Sequence, residues 1–245
     1  MRTFWADLHV HTVYSPCAEV EMIPPLIVQR AVQLGLDWIA VTDHNGAGNA
    51  GAVMQAAVGT GLAVTPGMEV ESREEVHVVC LFDGLAAAED WAALVAAHLP
   101  ARRNDERHFG AQFVVDATGD YVCTEERLLL ASTDLSIEAI VQGVMARGGL
   151  AIPAHVDRPA NSLLVNLGFV PPDLGIEAVE ISRWTAVEAF RQAHPELARL
   201  ALVSSGDVHR LSEFLRRTAV TAAEPTVAEL RRALRSEGGR SVRVF

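Results

Sequence analysis

Strand-length apolar runs alternate with helix-like segments along most of this chain, and most of the runs end in a histidine or a carboxylate. Phe4 to His11 reads as a strand, and Pro24-Pro25 opens a helical run that stops at Gly35, as expected of proline in a first helical turn and glycine just past the last. Trp38 to Thr42 is a second strand, followed by a Gly/Ala-rich helix to about Thr60. Leu62 to Glu71 and Val76 to Phe82 give two more strands, and Ala86 to Leu99 a helix. The rhythm breaks over 100–135, where a charged loop (PARRNDERHFG) precedes a hairpin around a Thr-Gly-Asp turn. It resumes with a helix from Ser136 to Arg147, the strand LAIPAH, a helix or loop to Phe169, the strand IEAVEIS, a helix from Thr185 to His194 and the strand LALVSSGD. Two more helical stretches and a terminal SVRVF strand follow. Roughly seven strands with helices between them predict an α/β chain with a parallel, barrel-like sheet, a single domain with an insertion at 100–135. The 245 residues suit one such barrel.

Composition narrows the function. Acidic residues outnumber basic ones 31 to 20, a formal net charge of −11, which disfavours extended binding along a nucleic-acid backbone. Every basic residue is arginine; with no lysine in the chain, Schiff-base chemistry and a P-loop lysine are excluded. Cys17, Cys80 and Cys123 are odd in number and form no Cys-x-x-Cys pair, which suits a reducing, cytoplasmic setting. The opening MRTFWADLHV is not expected to be a signal peptide, and no run is long enough to span a membrane.

In α/β barrels the chemistry gathers where strands end. Asp7, His9 and His11 end the first strand; on strict alternation they share one face. Asp43 and His44 end the second, Glu69 follows the third, His155 ends AIPAH, and Asp207 and His209 end VSSGDVH. One such residue is an ordinary cap or turn residue. Five strands delivering them to one rim describe a multinuclear metal site. His98, His108 and His194 lie on helices or in the charged loop and are expected at the surface.

The ordered motifs DLHVHTVYS, AVTDHN, GMEVES, PAH and SGDVH resemble the polymerase-and-histidinol-phosphatase (PHP) family of metal-dependent phosphoesterases. The resemblance implies a distorted (β/α)7 barrel with two or three divalent ions, commonly Mn, Fe or Zn. It implies that His9 and His11 hold one metal with Glu69 and Asp207, that Glu69 bridges to a second held by His77 and His155, and that His44 and His209 hold a third. The third site's remaining ligand is normally His or Asp; here Cys17 stands there, either as a thiolate ligand favouring Zn or Fe or as a packed thiol. His77 precedes its apolar run, so it is a ligand only if that strand turns back sharply after Glu71; otherwise it is a strand-start histidine.

The reaction these residues suggest is hydrolysis of a phosphate ester, on a small phosphorylated metabolite or nucleotide. A hydroxide held by two ions ~3.5–4 Å apart would be the nucleophile. His209 and the third ion would meet a phosphate or leaving oxygen, and Asp7 or Asp43 would orient ligands or relay a proton. Arg158 and Arg183 follow their strands at the same rim and are expected either to clamp phosphate or to pair with nearby carboxylates. Arg102, Arg103 and Arg107 are expected to cover part of the site or to lie in solvent. The alternatives are a non-phosphate metallohydrolase of deacylase type, or an exonuclease-like or histidinol-phosphatase-like member.

Overall fold

The structure, a computed structural model, describes residues 1–245. In chain order its strands are β1 (Arg2–Val10), β2 (Trp38–Val41), β3 (Ala63–Glu71), β4 (His77–Leu81), β5 (Phe113–Val115), β6 (Tyr121–Thr124), β7 (Leu150–Pro153), β8 (Ala178–Glu180), β9 (Ala201–Val203), β10 (Thr218–Ala222) and β11 (Ser241–Val244). The helices are α1 (Pro24–Gln33), α2 (Ala50–Ala56), α3 (Leu85–His98), α4 (Glu106–Phe109), α5 (Ile137–Ala146), α6 (Leu163–Asn166), α7 (Val187–Ala193) and α8 (Val227–Leu234). No helix is long and apolar enough to cross a membrane.

Seven strands form one curled sheet in the order β11-β10-β1-β2-β3-β4-β7, and the parallel pair β8-β9 lies between its two edges, β8 against β7 and β9 against β11. This is a distorted barrel. It is not the parallel barrel that the alternation predicts, because only β1-β2, β2-β3 and β8-β9 run parallel. No helix separates β3 from β4; a five-residue turn does, so β4 must come back antiparallel, with Glu71 opposite His77. A second correction falls after β9. The stretch predicted as helical beyond Arg210 is one 3-10 turn at Leu211–Glu213 followed by β10. β10 pairs antiparallel with β1 and β11; its β-branched Thr218, Val220 and Thr221 favour a pleated surface.

Two apolar clusters divide the interior. Phe4, Ala6 and Leu8 of β1, Trp38 and Ala40 of β2, Val79 and Leu81 of β4, and Leu150 and Ile152 of β7 fill the barrel, and Val227, Leu230 and Leu234 of α8 close one end. The outer strand faces carry Ile39, Val41, Met68 and Val78 against Ile27 of α1, Val53 of α2, Trp91 of α3 and Ile140 of α5. The end opposite α8 is where buried His9, His11, Glu69 and His77 collect.

The insertion is the expected loop and hairpin, with β5 and β6 antiparallel around the Gly119 turn. Asn49 anchors it, donating to the Phe113 carbonyl and accepting from Val115 N–H, both at 2.9 Å. Gly67 of β3 lies close against β4: a Cβ there would lie 2.4 Å from the Cys80 carbonyl oxygen. Because that neighbour is backbone and cannot rotate away, Gly67→Ala is expected to lower the unfolding free energy by about 1–3 kcal/mol, measurable as a fall in denaturation midpoint; an unchanged midpoint would contradict the packing described.

Candidate metal centre

One buried carboxylate organises this end of the barrel. Glu69 Oε1 lies 2.9 Å from His77 Nδ1, 3.2 Å from His155 Nε2 and 3.3 Å from His9 Nε2, while Oε2 lies 3.0 Å from His44 Nδ1 and 3.4 Å from His11 Nε2. Asp207 Oδ1 stands 3.4 Å from His9 Nε2 and 3.2 Å from His11 Nε2. Three sets of potential ligand atoms converge: His9, His11, Glu69 and Asp207; His44, Glu69 and His77; and His11, His44 and His209.

Local geometry explains how each side chain arrives. The β1-β2 register gains one residue between Asp7 and Val10, a bulge that breaks strict alternation. Val10 therefore packs with the outer cluster while Leu8 packs inside, and His9 and His11 turn inward without Asp7. His77 reaches Glu69 because β4 runs back along β3, the sharp return its ligand role requires. His155, Asp207, Asn45 and Asn161 all have positive φ, from 30° to 54°. Left-handed backbone is costly for such residues and collects at sites where function demands a particular side-chain direction. Asn161 contributes its carbonyl, which accepts the His77 backbone N–H at 3.1 Å.

The hydrogen-bond chains behind the histidines fit a bound cation. Ser15 Oγ donates to Asp43 at 2.7 Å, so it must accept from His11 Nδ1 at 3.0 Å. That leaves the Nε2 lone pair of a neutral His11 facing two carboxylates. His9 Nδ1 meets Glu180 at 3.1 Å, and its Nε2 points at Glu69 and Asp207. His9 Nε2, His11 Nε2, Glu69 Oε2 and Asp207 Oδ1 are buried without a hydrogen-bond partner. Lone pairs aimed at one another are repulsive unless a cation lies between them, and imidazole with carboxylate is the donor set of transition-metal sites.

Titration behaviour has the same origin. Burial depresses His9, but Glu69, Glu180 and Asp207 outweigh it and hold His9 well above its ordinary value. Burial and the neighbouring His209 and His44 drive His11 well below. Burial lowers His77 as well, yet Glu69 and Glu71 lift it to about 9. For Glu69 and Asp207 burial acts upward and the surrounding histidines dominate, keeping both carboxyls well below the usual range.

The remaining expectations divide. Cys17 is an exposed residue whose thiol faces His44 and His209; burial of the sulfur acts upward, but the two imidazoles bring it down to about 6. Arg158 lines the same cleft as His44, Glu69, His77, His155, Asp207 and His209, and its Nη1 is 2.5 Å from Asp207 Oδ2. Arg183 does not line it; its guanidinium goes to the Gly206 carbonyl. Asp43 is spent on Thr12 N–H, Thr12 Oγ1 and Ser15, so it orients His11 through Ser15. Asp7 accepts from Gly206 N–H at 2.9 Å and Leu215 N–H at 2.8 Å; burial raises its pKa to about 7. It holds the backbone beside Asp207 and makes no hydrogen bond to a histidine of the cluster. Of the insertion's arginines, Arg102 lies over Phe109, Arg103 pairs with Glu126 and Arg107 is exposed; none lines the cleft. His98, His108 and His194 stand outside the centre, as expected.

Sequence reasoning missed Glu180, Ser15 and Glu71. Glu71 ends β3 and Glu180 ends β8, so the strand-end rule offers a signal for both; Ser15 carries none without the tertiary contacts. Because Glu180 fixes the Nδ1 side of His9, Glu180→Gln is expected to weaken metal binding roughly 10–100-fold in a chelator-competition titration. Affinity equal to wild type would show that His9 needs no such support.

A family model for the PHP domain matches residues 7–146, more than half of the chain. None of the curated proteins matches. Among solved structures, the lesion-specific endonuclease from Pyrococcus furiosus superposes with a TM-score of 0.69 at 19% identity, over 98% of this chain and 58% of that one; this chain thus spans well under two thirds of that protein's length. An amidohydrolase from Chromobacterium violaceum with bound sulfate gives 0.62 at 20% identity, over 86% of this chain and 90% of that one. A protein assigned as a metal-dependent phosphoesterase from Bifidobacterium adolescentis gives 0.59 at 20% identity, over 84% and 87%. These likenesses share a fold. The family match and the histidine-carboxylate cluster together support a metal-dependent hydrolase, and the chain belongs to the PHP domain family.

Proposed function

We propose that this chain hydrolyses phosphate esters of a small phosphorylated substrate, with two or three divalent ions of the Mn, Fe or Zn type as cofactors. The carrying observation is Arg158, a guanidinium in the same cleft as the clustered histidines and paired with Asp207, since guanidinium meets phosphoryl oxygens in matching geometry. We take the whole of residues 1–245 as one functional unit, because His155, Asp207 and His209 lie beyond the residues that the family model matches.

In this reading His9, His11, Glu69 and Asp207 hold one ion, Glu69, His77 and His155 a second, and His44, His209 and Cys17 a third. When bound, such ions supply Lewis acidity and bring the pKa of a water towards neutrality. The chain's own residues do the rest. Arg158 binds phosphoryl oxygens and leaves Asp207 when the substrate enters. Glu180 and Ser15 keep His9 and His11 in the tautomer that frees Nε2. His209, the most exposed imidazole of the set at 21%, directs Nδ1 to the Asp207 carbonyl and stands where the leaving oxygen emerges. The cleft, about 300 Å³, is at the small end of ligand pockets, so it encloses a phosphoryl group and leaves the rest of the substrate at its mouth.

Two experiments test this. Metal-loaded protein is expected to release inorganic phosphate from members of a phosphomonoester panel, to lose that activity on chelation, and to show roughly a tenfold or larger rise in KM for Arg158→Ala. Hydrolysis of amides with no phosphate released from any ester would transfer the centre to deacylation. For the third ion, Cys17→Ala is expected to lower bound metal by about one ion, and Cys17→Asp to restore it with a shift towards Mn. Undiminished metal in the alanine variant would reduce the centre to two ions.

A further inference from the structure

Beside the cleft, the segment after β8 forms a tight turn: Thr185 N–H donates to the Ser182 carbonyl at 3.2 Å, with Arg183 and Trp184 at the two central positions. It is held from three sides. Asp157 accepts from Ser182 N–H at 2.7 Å, from Ser182 Oγ at 2.8 Å and from Thr185 Oγ1, which ties the turn to the loop carrying His155 and Arg158. Arg183 donates to the Gly206 carbonyl, which ties it to the loop carrying Asp207. From below, Arg217 donates to the carbonyls of Ser182, Arg183 and Thr185. Its backbone is thus held by several hydrogen bonds, yet it presents an indole that is 84% exposed.

A scattered surface hydrophobe needs no explanation. Trp184 differs in its mounting. Its ring centroid is 5.7 Å from the Arg183 guanidinium carbon, and that guanidinium donates to the carbonyl of Gly206, the residue preceding Asp207, so the turn adjoins the loop that carries Asp207. Fixing the backbone that carries an aromatic surface lowers the entropy cost of binding to it. Arg158, Arg183 and Arg217 also gather positive charge here, against a chain of net charge −11, as an approaching phosphate ester requires.

We infer that the Ser182–Thr185 turn is a stacking platform, with Trp184 selecting phosphate esters whose alcohol part carries a planar ring, such as nucleotides. The phosphoryl group lies in the cleft at Arg158 and the ring on the indole outside it. Trp184 is then the specificity-determining residue, and neither it nor the turn contributes a metal ligand.

The inference rests on the phosphoesterase reading, and the two can fail separately. Trp38 and Trp91 are fully buried and Trp5 lies between Arg216 and Phe245, so a stacked ring reports through Trp184. Titration with a nucleoside monophosphate is expected to quench the wild-type indole fluorescence but not that of Trp184→Ala; glycerol phosphate, which has no ring, should quench neither. In turnover, Trp184→Ala should raise KM for the nucleoside monophosphate about tenfold with kcat retained and glycerol phosphate unaffected, and Trp184→Phe should recover most of the loss. Undiminished quenching in the alanine variant, or equal losses on both substrates, would overturn the platform. No phosphate release from any ester would remove the phosphoesterase reading instead, and the quenching titration, which needs no turnover, would still decide for or against Trp184.

Discussion

The burial of Glu69 is the constraint on which the rest of this molecule turns. A carboxylate that is 1% exposed is tolerable only if its charge is matched, and here imidazoles from β1, β4 and the loops after β2 and β7 match it. β1 and the residue that follows it supply two of them, His9 and His11, and the others must come from other elements, since one strand can offer one face only. The barrel is the device that brings four such elements round a single point. Its two ends divide the labour: the α8 end supplies apolar burial, and the other end uses that rigidity to hold groups that repel one another without a cation.

Support for the centre runs outward through layers of hydrogen bonds. Ser15 serves His11 and also accepts the His44 backbone N–H at 3.1 Å, while Asp43 holds Ser15 and Thr12, and Asn49 joins Thr12 to the inserted hairpin. The insertion is thereby linked to His11 without lining the cleft. Its charged loop spends its arginines locally, which fits the small value of exposed ion pairs. In the proposed function, substrate contact falls instead to Arg158 and the turn bearing Trp184, which is tied to the loops after β7 and β9.

Much of the site was readable from residue type and order because the chemistry is concentrated in side chains at strand ends. His9, His11, His44, Glu69, His155, Asp207 and His209 each end or follow an apolar run, and all stand in the cluster. The misreadings share one cause. Strict alternation puts Asp7 on one face with His9, and a one-residue bulge separates them. Arg183 follows its strand as Arg158 does, but which of two arginines faces a cleft depends on where the nearest carbonyl lies. The segment after Arg210 has no strong period of its own, and the open edge of β1 decides that Thr218–Ala222 is a strand.

The sequence by itself determined the layered α/β class, the inserted hairpin and the kinds of ligand offered, since periodicity and residue chemistry are local properties carried by the chain. Only the tertiary structure decided the inward turn of His9 and His11, the partnership of His9 with Glu180 and the fixing of the turn that bears Trp184. Each depends on pairing between segments far apart in the chain, and the physics of such pairing, backbone hydrogen bonding and burial of charge, has no signature in any single stretch.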